Sequence, residues 1–489
     1  GIGSNSWVVS GELTDTGMPL LANDPHLGAE LPSVWTQMQL RCAEITDGCP
    51  FEVAGFSFSG LPGIVIGHNE DIAWGFTNLT TDVADLYVER IDGDDYWQDG
   101  ERHPLVIRTE TLKVAGGEDV TFEVRSTEHG PVVSGLTDDF TAIAADPRLG
   151  TVAGWREAAV MPGEEAESLS GEFAVTLRWT ALDPGTTAEA IFDLDLADDF
   201  EDFRAAAAKF DVPAQNLVYA DVQGNIGYQA PGRLPIRGAG DGWLPQPGWD
   251  SAYDWQGYVP FEEQPYDFNP EAGYIATANN AIVTDDYPYF LSRDWDYGYR
   301  AARIVEMLEQ RIDEGPLTSE ALAEMQMDNL MPAASALQGA YTGLETDDPE
   351  VREALDGLAA WDGQNDADSA EAAYANVLWK QVVGLMTGGK GADVPLDDQS
   401  RFVLFFEQQL ERPDSAWWSN AEAGVTSQEE LLELAARQAY DELAGLQGED
   451  RAKWSWGKLH AITLTHGSFG ASGIDRFTTP YLNTIPAEM

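Results

Sequence analysis

Through the first three hundred residues, apolar positions come in short runs, many alternating with polar ones and bounded by Gly, Asn or Asp. "FEVAGFSFSG", "GIVIGHNEDIAWGFTN" and "ADLYVERID" have this form, as do "HPLVIRTETLKVAG", "VTFEVRSTEHGPVVSG" and "AIFDLDLA". A period of two sends successive side chains to opposite faces of a strand, so these stretches predict a β-rich region. The opening "GIGSNSWVVSG" predicts a buried strand with Ser4 near its start. "DDFEDFRAAAAKF" predicts a short helix, and "AQNLVYADVQGNIGYQAPG" a hairpin turning at Gly224-Asn225.

From about Arg300 the period changes. "YRAARIVEMLEQR", "TSEALAEMQMDNL", "PEVREALDGLAAW", "AEAAYANVLWKQVVGLM" and "SQEELLELAARQAYDELAGL" repeat at helical spacing. Thr318-Ser319 and Ser427 stand where N-caps belong. The tail from Trp454 returns to irregular or β character. The predicted division is a β-rich core over 1–300, a helical insertion over 301–450 and a return to the core over 451–489.

Composition adds a core and a charge. Hydrophobic residues at 43%, with 16 tryptophans, exclude wholesale disorder. No apolar run reaches the length of a membrane span. Against 27 basic residues stand 84 acidic ones, a net charge of -57 that repels nucleic acid and anionic lipid. The acidic residues are scattered, which suits a protein of a very salty environment, where screening shortens the reach of self-repulsion. Cys42 and Cys49 flank an Asp-Gly step, and both a small disulfide loop and two free thiols are open.

Several motifs lead nowhere. "GLMTGGKG" lacks the Ser or Thr of a phosphate loop and follows a helix, so it predicts a helix stop. There is no G-x-S-x-G elbow and no H-E-x-x-H, and no pair among the six histidines has short helical ligand spacing. Ser4 remains. A serine hydroxyl needs a base to become a nucleophile. Cleavage of Gly3–Ser4 would give Ser4 its own α-amine, with a reference pKa of about 7.7–8.0.

The chain resembles the β-subunit of the penicillin acylase family of N-terminal nucleophile hydrolases, which includes penicillin, cephalosporin and acyl-homoserine lactone acylases. "GSNSWVVSG", "LLANDPHLG", "GLPGIVIGHNEDIAWGFTN", "EHGPVVSG", "LRWTALDPG", "PAQNLVYADVQGNIGYQAPGRLPIR" and "GYIATANN" carry the resemblance in order. It implies an α+β fold, a four-layer αββα sandwich with a large helical insertion. It implies Ser4 as the nucleophile, and an oxyanion hole from the Asn78 backbone N–H and the Asn216 side chain. His26 is implied to poise Ser4, and tilts the reading away from a strictly phenylacetyl-specific enzyme; Arg237 is implied to hold the asparagine and the substrate. Asp82, the Ala84 carbonyl and Asp85 stand where the family binds calcium, with Asp221 or a further subunit as sources of more ligands. No organic cofactor is implied.

The expected reaction is hydrolysis of a linear amide in penicillins or N-acyl homoserine lactones, after self-cleavage at Gly3–Ser4. An apolar acyl pocket is expected to draw on Trp35, Phe56 and Phe58. Alternatives are a cephalosporin-type acylase for charged acyl chains and a non-catalytic, calcium-stabilised binding descendant. The expected partner is an α-subunit from the same precursor, whose sequence lies upstream of the Gly-Ser step in the family. The family's acid that orients a histidine has no match before Met489, so both ends of the sequence are expected to be truncated. The resemblance implies an extracellular or periplasm-like location, and the charge is equally compatible with the cytoplasm of a high-salt organism.

Overall fold

The strand Gly3–Val9 runs antiparallel between Leu20–His26 and Tyr274–Thr277. Its alternation assigns its two faces. Trp7 and Val9 belong to a core with Ile304 and Leu308 of the helix Tyr299–Glu314 and Leu322 and Met325 of the helix Ser319–Gln326. Val8 turns the other way, into a core shared with Val218 and Ala220. Ser4 and Ser6 have the parity of Val8, so they face that second layer. In a computed structural model that describes residues 3–28, 31–46, 48–145, 172–388, 390, 399–462, 464 and 487–488, this strand is the hinge of the architecture.

The second layer is a seven-stranded sheet. Its order is Tyr266–Phe268, Ile226–Gln229, Gln215–Asp221, Ile72–Asn78, Ile66–His68, Glu52–Phe58 and Trp35–Arg41, all neighbours antiparallel. Strand Gln215–Asp221 puts Val218 and Ala220 toward the first sheet, while Leu217 and Tyr219 face the helices Thr187–Leu194 and Phe200–Ala207. Burying each such large apolar side chain is worth about 1.5–3 kcal/mol. Asp199 caps the second of these helices, accepting from the N–H groups of Glu201 and Asp202. The predicted hairpin is present, and the Asp221 carboxylate closes its turn on the N–H groups of Gln223 and Asn225.

"AIFDLDLA" is not a strand. Most of it lies in the helix Thr187–Leu194, with Ala190, Ile191 and Leu194 buried on one side. Its Asp residues alternate as in a strand, but the apolar positions also fit a helical face, and packing onto the sheet selects the helix.

A third sheet joins Glu172–Trp179, Ala84–Asp92, Asp95–Gln98 and Glu101–Pro104, with Gln246–Pro247 parallel to the second of these. Beyond Met331 the helices from Ala334–Tyr341 to Gln428–Gln447 build a separate apolar core around Tyr374, Phe406 and Trp418. Thr318 and Ser427 cap their helices as predicted, donated to by the N–H groups of Ala321 and Glu430. The helix Ala370–Thr387 stops at Gly388, within the glycine-rich stretch read as a stop. Cys42 and Cys49 form a disulfide, with Cα atoms 6.0 Å apart. In the tail, Ala461–Ile462 pairs with Ala487–Glu488, and most of the segment between lies outside the described residues. The fold is α+β.

Candidate active site

Ser4 is 5% exposed, at the start of its strand. Its hydroxyl donates to the carbonyl oxygen of Gly3 at 2.6 Å. Its backbone N–H donates to Asn279 Oδ1 at 2.7 Å. Asn279 follows the strand Tyr274–Thr277, is 5% exposed and has φ of +65°, a left-handed conformation that asparagine tolerates better than most residues.

Arg300, in the first turn of the helix Tyr299–Glu314, ties these groups together. Nη1 donates to the Ser4 carbonyl at 2.9 Å and to Asn5 Oδ1 at 2.8 Å. Nη2 donates to Asn279 Oδ1 at 2.9 Å and to Asp296 Oδ2 at 3.3 Å. A guanidinium only donates, so the Asn279 oxygen must face Arg300 and the amide NH2 must point the other way. That NH2 donates to the Asn78 carbonyl at 2.8 Å, which leaves its second hydrogen free of any described partner. A Cβ on Gly3 would stand 3.0–3.3 Å from the Arg300 guanidinium, so glycine is what lets the arginine approach this closely.

Ser4 lies on the wall of a cavity of about 1280 Å³. Trp35, Phe58, Leu61, Val65, Ile66, Phe76, Ile191 and Phe210 give it an apolar side. Trp35 stacks on Phe58 with ring centroids 4.6 Å apart, and Phe76 meets Phe210 edge-on at 5.6 Å. Phe56 is not in this wall and is 41% exposed. The charged lining comes from other segments, with Asp294, Asp296 and Arg300 on one side and Arg401 of the helix Gln399–Leu410.

The sequence-predicted residues separate into two groups. His26 and Asn78 line the same cavity as Ser4. The His26 ring contacts Asp24 Oδ2 at 3.1 Å and approaches Asn5 Nδ2 at 3.4 Å. Asn216 lies behind Asn78, with no exposed surface. Its NH2 donates to the carbonyls of Thr77 and Asn78 at 3.4 and 3.2 Å, and its Oδ1 accepts from the Tyr228 hydroxyl. Arg237 is at the end of the strand Pro235–Arg237, not on the cavity wall, and pairs with Asp82 and Asp85. Ala84 opens the strand Ala84–Asp92, and its N–H bonds the Asp82 carboxylate. Asp24, Asn279, Asp296 and Arg300 escaped the sequence reading. Asn279 sits in the quoted "GYIATANN", but nothing local separates a site asparagine from a loop asparagine.

A second charged cluster lies under the strand Ala84–Asp92. His129, 3% exposed, bonds Glu89 Oε1 through Nδ1 at 2.8 Å and Asp254 Oδ1 through Nε2 at 2.9 Å, and stacks on Tyr87. Burial works against its charge, but the bonds to Asp254 and Glu89 prevail and push the imidazole up to about 9.

The chain is similar to known proteins along nearly its whole length. It is 30% identical to acyl-homoserine lactone acylase QuiP of Pseudomonas aeruginosa over 94% of this chain and 54% of the relative. Penicillin acylase 2 proenzyme of Pseudomonas sp. strain SE83 is also 30% identical, over 95% of this chain and 55% of the relative. The chain thus spans about half the length of the relatives it matches. Its fold matches that of a thermostable penicillin G acylase from Alcaligenes faecalis with a TM-score of 0.71 at 21% identity, covering 96% of this chain and 83% of that one. The model of the penicillin amidase family fits residues 2–488, and the chain belongs to that family.

Proposed function

We propose that the chain is the catalytic part of an amidohydrolase that cleaves the linear amide of N-acyl compounds through an acyl-Ser4 ester. One observation carries this reading. The Ser4 hydroxyl is bonded to the Gly3 carbonyl, the group it must attack to free itself, beside a large cavity. In maturation Ser4 Oγ adds to the Gly3 carbonyl carbon, the C–N bond breaks, and the acyl group moves from nitrogen to oxygen. Water then hydrolyses the ester and leaves Ser4 with a free amine. That amine, held by Asn279 Oδ1, acts as the base in turnover. It takes the hydroxyl proton as Oγ attacks the substrate carbonyl and passes it to the leaving amine. A water activated by the same amine releases the acid.

The oxyanion donors in this reading are the Asn78 N–H and the free Asn279 N–H, with Arg300 holding Asn279. Asn216 supports the Asn78 carbonyl from behind. His26, oriented by Asp24 of this same chain, lies beside the acylation site. The uncharged wall from Trp35 to Phe210 favours aliphatic or aromatic acyl groups over charged ones. N-acyl homoserine lactones and penicillins are the substrates that the names of the relatives suggest. The stacked sheets with helices on their outer faces support the four-layer αββα sandwich. In this reading an α-subunit from the same precursor completes the enzyme.

The test is intact mass and N-terminal sequencing of the full-length precursor beside Ser4→Ala, in concentrated KCl, followed by turnover of octanoyl and glutaryl amides. Cleavage at Gly3–Ser4 in the wild type alone, with octanoyl preferred, is the expected result. Amide hydrolysis by the Ser4→Ala form would overturn the mechanism.

A further inference from the structure

The resemblance reserves Asp82, the Ala84 carbonyl and Asp85 for calcium, yet a side chain of the protein itself fills that place. Asp85 is 1% exposed, and four contacts from N–H donors occupy its carboxylate. Arg237 Nη2 and Nε reach Oδ1 at 2.8 and 3.2 Å; Arg237 Nε and Trp255 Nε1 reach Oδ2 at 2.9 and 2.6 Å. Three N–H groups lie on its two oxygens, the Nε–H shared between them, and with 1% of the residue exposed the carboxylate has no open face for a metal. Arg237 Nη2 also bonds the Asp82 carbonyl at 3.1 Å and approaches its carboxylate at 3.2 Å. Gly242 closes the pair from above, where a Cβ would fall 2.1 Å from Asp85 Oδ1 and 2.8 Å from Arg237 Nε. Asp221, the other candidate ligand, spends its oxygens on its own turn and on Tyr219 and Asn225. Calcium needs six to eight oxygens at about 2.3–2.6 Å. Among the described residues no three acidic, histidine or cysteine side chains are grouped to hold a metal ion.

We infer that the Arg237 guanidinium is a built-in replacement for a divalent cation, locking Asp82 and Asp85 to the strand Pro235–Arg237. The segment it locks follows directly on Asn78. Asp82 is fixed a second time, its N–H donating to the Leu291 carbonyl at 2.7 Å. Arg237 is therefore a positioning residue for the Asn78 side of the cavity, acting through residues 79–85 without touching substrate. A guanidinium cannot be chelated or exchanged, which suits a chain whose 84 acidic residues would compete for any free divalent ion.

Metal analysis and thermal unfolding of the full-length protein test this. Both are run in about 1 M KCl, where the Debye length falls to about 3 Å and diffuse binding of calcium to the acidic surface is suppressed. After dialysis against EGTA the wild type is expected to hold no stoichiometric calcium, and its Tm is expected to be the same in EGTA and in millimolar CaCl2. Arg237→Met leaves one buried and one half-buried carboxylate without a cation, and its Tm is expected to fall by roughly 5 °C or more. Millimolar CaCl2, but not choline chloride, is expected to restore much of that loss, an outcome simple loss of packing would not give. One tightly held calcium per wild-type chain, with a Tm that drops in EGTA, would overturn the inference whether or not the variant folds. So would a folded Arg237→Met protein that calcium leaves unchanged.

Discussion

Asn279 Oδ1 lies 2.7 Å from the backbone nitrogen of Ser4, a contact between residues 275 positions apart in the chain. In the proposed self-cleavage it would give the nitrogen a fixed acceptor both as an amide and, afterwards, as an amine. Arg300 holds the same oxygen, so the direction of the Asn279 NH2 is set from outside the reaction.

Asn279→Asp therefore separates two roles. The acceptor for Ser4 and Arg300 survives, while the N–H donor is lost. The kcat is expected to fall roughly 10²–10³-fold with a Tm near that of the wild type. Asn216→Ala is expected to do the reverse, costing about 1–3 kcal/mol by unpairing the Tyr228 hydroxyl, with kcat lowered less than about tenfold. Parallel kinetics and melting curves decide; the opposite pattern would return the donor role to Asn216.

Gly3→Ala tests the close approach of Arg300. The added methyl group would meet the guanidinium at 3.0–3.3 Å and push it off Ser4 and Asn279. Self-cleavage is expected to slow by about tenfold or more, a barrier change of about 1.4 kcal/mol, read as precursor remaining in a mass-spectrometric time course. Processing at the wild-type rate would mean that Arg300 is not needed for it.

Ile191→Trp narrows the apolar wall. Each methylene that cannot be buried costs about 0.8 kcal/mol, so long chains suffer most. The KM for octanoyl amides is expected to rise at least about tenfold while that for acetyl amides changes little. Equal effects on both would place the acyl chain elsewhere.

His129 gives stability a pH slope. Its folded-state pKa of about 9 lies above the unfolded value near 6.5, so the native state holds the proton more tightly. The stabilisation is full below pH 6.5 and is lost as pH rises through 9, on the order of 3 kcal/mol in all. Denaturant melts from pH 6 to 10 are expected to show this decline in the wild type and a flatter profile in His129→Gln. Identical profiles would mean that His129 is neutral in the native state.

The place of Ser4 and the core strands were legible because their signals are local. Ser4 sits at the start of a short apolar strand, and the period of two in "AWGFTN" or "NLVYAD" needs no tertiary context. "AIFDLDLA" fitted two periods, and only the sheet it packs against resolved them. Asn216 and Asn279 look alike in sequence; what divides them is a backbone φ of +65° and an arginine 21 residues further on, both products of the fold. Arg237 was expected to hold the asparagine and the substrate, but it stands off the cavity wall, on partners about 150 positions earlier in the chain that nothing local could reveal.

The register of the first strand has a consequence for the proposed cleavage at Gly3–Ser4. Ser4 stands opposite Pro25, which has no N–H to give. Both backbone groups of Ser4 face away from it, the carbonyl accepting from Arg300 and the N–H donating to Asn279. At Ser4 the strand is therefore fastened by the Asn279 and Arg300 side chains rather than by the backbone of a neighbouring strand. Under the proposed self-cleavage, a terminus formed at Ser4 would keep both of these contacts and so stay anchored in place.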